Sequence, residues 1–96
     1  MKQQVNQRGI YILDEPEAAL SPSKQLAFMY FIQNHLQHHN SQFIIATHSP
    51  MLMAFPEATI FEITDNKMKK TPLEETDHYA ITKSFLNNPN SYLRHF

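Results

Sequence analysis

Gly9-Ile10-Tyr11-Ile12-Leu13-Asp14-Glu15-Pro16 is the stretch on which the reading of the fold turns. From Gly9 to Leu13 it is short and continuously apolar, the pattern of a parallel strand covered on both faces. It stops at a polar break, Asp14-Glu15-Pro16-Glu17. Ser21-Pro22 then reads as an N-cap followed by proline at the first helical position. From Ser23 to about His39 good helix formers dominate. Leu26, Met29, Tyr30 and Leu36 lie along one stripe, and Phe28, Phe31 and Ile32 widen it, which predicts a helix buried over much of its circumference. Asn40-Ser41 ends that helix, and Gln42 to Thr47 is a second apolar strand. Strand, helix and strand with short connections form a βαβ unit, whose crossover is expected to be right-handed.

Outward from this unit the pattern changes. Ser49-Pro50 starts a short helical turn that Pro56 closes, and Thr59 to Thr64 reads as a third strand. Asp65-Asn66 fits a hairpin turn into Lys67–Thr71. Thr76 caps a helix running to about Asn87, and Asn88-Pro89 opens a last short helix carrying Tyr92, Leu93 and Phe96. No repeat, linker or low-complexity tract divides the sequence, so residues 1–96 are expected to form one α/β domain.

Composition narrows the function classes. Hydrophobic residues are 42% and charged residues 18% of the 96, an ordinary globular balance. The net charge of -1 carries no basic excess, so nucleic acid is not indicated as a partner. With Cys 0, disulfides, thiolate catalysis and zinc–cysteine sites are excluded. No apolar run approaches the roughly 20 residues of a membrane span, and the polar start Met1-Lys2-Gln3-Gln4 is no signal peptide. A cytoplasmic setting without a membrane partner is the expectation.

The densest polar signal is Asp14-Glu15 at the end of the first apolar strand. Ligands in open α/β sheets gather at the carboxyl ends of strands. Adjacent acids there are expected to point to opposite sides, one holding a hard cation such as magnesium while its neighbour orients or deprotonates a water. The same residues would also serve as a solvated strand end before a helix cap. The second strand ends comparably, at Ala46-Thr47-His48-Ser49-Pro50, which places His48 on the same rim. An imidazole there can donate to a phosphate oxygen or to the attacking water.

Together these residues carry a resemblance. Ile10 to Pro16 resembles the Walker B strand of ABC-class P-loop ATPases, Glu17 to Pro22 the D-loop that follows it, and Ala46 to Pro50 the switch-histidine segment. The DEPExxLxP form is more similar to the AAA/ABC-like ATPases related to RecF, SMC and overcoming-lysogenization proteins than to transporter subunits. The resemblance implies a partial P-loop ATPase core: a parallel βαβ sheet with flanking helices and a C-terminal β-hairpin plus helix. It further implies that Asp14 binds magnesium, that Glu15 polarises the attacking water, and that His48 contacts the γ-phosphate and that water. Asp14 and Ser21 would stand on the nucleotide side. Ala18 and Ser21 replace the serine and aspartate of the transporter D-loop, and Ser21 doubles as a helix cap.

What the 96 residues lack bears equally on function. A Walker A loop needs G-x-x-x-x-G-K-[ST], whose backbone amides and lysine wrap the phosphates. Gly9 is the single glycine and cannot build one. Neither the ABC signature nor the Q-loop is found. The expectation is a C-terminal part of an ATP-binding and ATP-hydrolysing domain, inactive alone, whose partners are the missing N-terminal half and a second copy in a homodimer. A non-enzymatic interaction module derived from such an ATPase is the alternative. His35, His38 and His39, at the end of the long helix, have a spacing that could present imidazoles to a metal, or simply place dipolar groups at a helix C-terminus. Lys67, Lys69 and Lys70 suit a solvated edge strand better than a phosphate contact. Tyr92, Leu93 and Phe96 are expected to close the domain's own core.

Overall fold

The computed structural model describes residues 8–94. The polar start Met1–Gln4 and Phe96 lie outside these residues. The chain divides into two compact units, the first ending at Leu52 and the second beginning at Met53.

In the first unit, β1 (Arg8–Asp14) and β2 (Asn40–Ala46) pair in parallel, connected by α1 (Pro22–His38). The register runs from Arg8 opposite Asn40 to Asp14 opposite Ala46. Asn40 and Ser41, which the sequence reads as the end of the helix, are therefore recruited into the strand by pairing with Arg8 and Gly9. Only His39 separates helix from strand. Ser21 caps α1 as its type requires: its hydroxyl accepts from the Lys24 amide at 3.4 Å, with Pro22 following.

One face of this sheet is covered. Tyr11 stacks on Phe43 at 4.9 Å between ring centroids, and the His35 ring of α1 meets both edge-on, at 5.2 and 5.5 Å. Ile32, three residues before His35 on α1, is the buried residue of the helix, at 2% exposure. The opposite face differs from expectation. Ile10, Ile12 and Ile44 alternate onto it and stay exposed, Ile12 at 74%. Continuous apolarity does anticipate two covered faces, but within the first unit only one has a layer against it. For the same reason α1 is not buried around its circumference: Leu26, Tyr30, Phe31 and Leu36 remain exposed.

α2 (Pro50–Met53) follows the first unit's second strand, with Ser49 Oγ accepting from the Leu52 amide at 3.3 Å. The second unit holds an antiparallel hairpin, β3 (Phe61–Thr64) and β4 (Lys67–Lys70), then α3 (Asp77–Asn87) and α4 (Pro89–Leu93). Asp65 and Asn66 both have positive φ, 46° and 68°, the left-handed pair that a two-residue type I′ connection demands. β4 is exposed throughout, lysines included. Thr76 is fully buried at 0% and caps α3 by accepting from the Tyr79 amide at 3.3 Å. Tyr92 and Leu93 do not close a core. Both are exposed, and Tyr92 instead packs edge-on against Phe85 while its hydroxyl donates to Ser84 Oγ at 2.7 Å. Among the described residues no helix is long and apolar enough to cross a membrane.

Candidate functional site

Parallel pairing decides where the chemistry lies. Because β1 and β2 run the same way and Asp14 sits opposite Ala46, the residues leaving both strands emerge at one edge. Asp14 is the last residue of β1 and is exposed. Glu15 does not continue the strand. Its backbone turns left-handed (φ 50°, ψ 55°), and its amide donates to the Ala46 carbonyl at 2.7 Å. The expected orientation of the two acids by strand alternation is therefore replaced, at Glu15, by the geometry of this turn. For a residue with a Cβ the conformation costs of order 1 kcal/mol, and such outliers concentrate at working sites.

His48, leaving β2, brings Nδ1 to 3.4 Å from Glu15 Oε2. The two side chains are 66% and 52% exposed. An exposed pair of this kind contributes at most about 1 kcal/mol, so it does little for the fold. It does set a carboxylate and an imidazole on one polar rim, open to a ligand. A carboxylate so placed can accept a proton from water, and the neighbouring imidazole can hand a hydrogen bond to an oxygen anion.

Glu17 has no role of its own in the sequence motifs, yet its side chain links the exits of the two strands. It lies in the 3-10 turn Pro16–Ala19 and reaches across to β2's exit. Thr47 Oγ1 donates to its Oε1 at 2.7 Å, and the His48 amide donates to its Oε2 at 3.1 Å. Burial pushes this carboxyl's pKa upward. The bonds from the Thr47 hydroxyl, the His48 amide and Glu17's own amide, together with the positive charge His48 can carry, outweigh burial and hold it below the usual 4.5. Its signal in the sequence was position: an acid just past one strand end, level with a Thr-His pair past the other. Recognising it required the strand register.

Ser21 lies at the start of α1, where its hydroxyl also meets Ser23 Oγ at 3.3 Å. The three histidines at the other end of α1 each have local work. His35 Nε2 is hydrogen-bonded to Ser41 Oγ at 3.0 Å, His38 Nδ1 meets the Asn34 carbonyl at 2.8 Å, and the His39 ring stacks on His35 at 4.4 Å. Among the described residues no group of three or more histidine or acidic side chains converges as a metal cage. Magnesium does not require one: it is commonly bound through one or two carboxylates, with water and substrate phosphates completing the shell. The exposed Asp14 carboxylate fits that limited duty.

Comparison with known proteins adds a family. No curated protein and no solved structure matches the chain. A family model described as an AAA domain, putative AbiEii toxin, Type IV TA system, matches residues 2–54. That interval takes in β1, α1, β2 and the whole polar rim, from Asp14 to His48. Since the match covers more than half of the 96 residues, the chain belongs to this AAA-domain family, and its first unit is P-loop-NTPase-like and of nucleotide-binding ATPase type.

Proposed function

We propose that the rim formed by Asp14, Glu15 and His48 is the metal-and-water side of an ATP-hydrolysing site of the ABC type, related to RecF- and SMC-like ATPases. The observation that carries this reading is the approach of His48 Nδ1 to Glu15 Oε2, 3.4 Å apart across two adjacent parallel strand ends. In it, Asp14 holds magnesium, which supplies charge neutralisation to the phosphates when bound. Glu15 accepts the proton of the attacking water, and His48 donates to a phosphate oxygen. Ser21, at the first turn of α1, stands on the nucleotide side. Catalysis of phosphoryl transfer rests on positioning and charge stabilisation, which these groups suit.

The phosphate cradle comes from another segment of polypeptide. One glycine cannot form a glycine-rich loop, and Asp14 and Glu15 add negative charge where a nucleotide's phosphates would lie. The 96 residues alone therefore bind Mg-ATP no better than millimolar, and titration calorimetry tests this. Micromolar affinity would mean that the chain carries a phosphate site of its own.

A second reading, that the chain acts by association, draws on the bare sheet face. Ile10, Ile12 and Ile44 form an exposed apolar strip of the kind that marks interaction surfaces. On this reading two copies associate about a two-fold axis, and light scattering at high micromolar concentration would find a dimer; a monomer would contradict it.

A further inference from the structure

We propose that Glu17 is a positioning residue that fixes His48 against Glu15, so that the turns leaving the two strands act as one body. The exposed pair between Glu15 and His48 is too weak to hold its own geometry. The backbone at His48 is held by specific bonds. Both oxygens of the Glu17 carboxylate are used, one by the Thr47 hydroxyl at 2.7 Å and the other by the His48 amide at 3.1 Å. The Thr47 hydroxyl also accepts from the Ser49 amide at 3.0 Å, so it is committed as donor and acceptor together.

The other flank of His48 is tied in the same direction. Ser49 is buried, and its Oγ donates to Gln25 Oε1 at 2.6 Å. Gln25 Nε2 in turn donates to the Leu20 carbonyl at 3.2 Å. Thr47, His48 and Ser49 are thus all bonded to the segment between β1 and the first turns of α1, which begins with Glu15. The lowered pKa of Glu17 agrees with this, because an ionised carboxylate accepts such bonds more strongly. The catalytic meaning of the arrangement rests on the ATPase reading above; the arrangement itself does not.

The experiment is solution NMR of the full 96-residue chain and three variants. Three observables report on the site: the nuclear Overhauser effect (NOE) between the His48 ring and the Glu15 side chain, the His48 χ1 coupling, and amide exchange at His48 and Ser49. The Tyr11–Phe43 ring contact reports on the fold. E17Q keeps size and an acceptor for Thr47 but turns a donor toward the His48 amide. T47V removes the hydroxyl at equal shape, and T47S restores it. The expected result is loss of the NOE, an averaged χ1 coupling and about tenfold faster exchange in E17Q and T47V. T47S should match the wild type, and the Tyr11–Phe43 contact should be unchanged in all three.

Retention of the NOE and coupling in E17Q and T47V would overturn the proposal. So would T47S losing as much as T47V, or absence of the NOE in the wild-type chain. If one of E17Q and T47V disturbs the fold reporter, the other decides; disturbance in both would show Glu17 holding the fold rather than His48, and would also overturn it. Failure of the ATPase reading would leave all these spectra as they are, so the two can be told apart.

Discussion

The two strand pairs of this chain use acids differently. β1 and β2 are parallel, so both carboxyl ends reach one edge, and Glu15, Glu17, Thr47 and His48 meet there although some 30 residues separate them. β3 and β4 are antiparallel, so the residues leaving the two strands depart at opposite ends. Glu62 of the hairpin also accepts a backbone amide, that of Asp77 at 3.2 Å, and the lysines of β4 stay exposed. A carboxylate bound to one amide secures a helix start. Parallel register gathers two carboxylates and an imidazole at one edge.

The contrast can be tested first by stability. Ile32→Ala removes the buried anchor of α1 and should cost the first unit about 2–5 kcal/mol, read by urea denaturation followed at the Tyr11 ring. Thr76→Ala in the second unit removes a fully buried cap that also donates to the Leu73 carbonyl at 2.8 Å, and should cost about 1 kcal/mol. Ile63→Ala in β3, an exposed position, should stay within about 0.5 kcal/mol. If Ile63→Ala cost as much as Ile32→Ala, the hairpin would be a packed element and the contrast would fail.

A smaller effect concerns acid. The pKa of Glu17 is lower in the folded chain than the usual 4.5, so its carboxylate contributes stability that is present above that value. This contribution is lost as pH falls through the lower folded value. Glu17→Gln should therefore flatten the acid limb of a stability–pH curve below about 4.5 and leave its slope near neutrality unchanged. An equally steep acid limb in the variant would assign the proton uptake to other groups.

Much of the fold was legible because local chemistry announces it. Ser21-Pro22 and Thr76 read as caps, Asp65-Asn66 as a left-handed turn, and the two apolar runs as paired strands. Coverage was not legible. An apolar run tells that a strand prefers two covered faces, but not that Ile10 and Ile12 find no layer within the first unit. The exposure of Tyr92 and Leu93 is not legible either, since apolar character in a sequence does not say which surface receives it. At the site, the strand-end positions pointed to Asp14, Glu15 and His48. Glu17 stayed hidden because its partners are distant in sequence and become visible only once Asp14 is known to face Ala46.

The most direct measurement is single-turnover ATP hydrolysis in a polypeptide that joins these 96 residues to a glycine-rich phosphate loop, comparing the parent sequence with Glu15→Gln. The substitution keeps the size of the side chain but removes the acceptor for the water's proton. The expected result is unchanged Mg-ATP affinity with hydrolysis slowed by about 10²–10⁴-fold, and a smaller loss for His48→Ala. Hydrolysis by Glu15→Gln at the parental rate would contradict the assignment of this rim as the water side of an ATPase site.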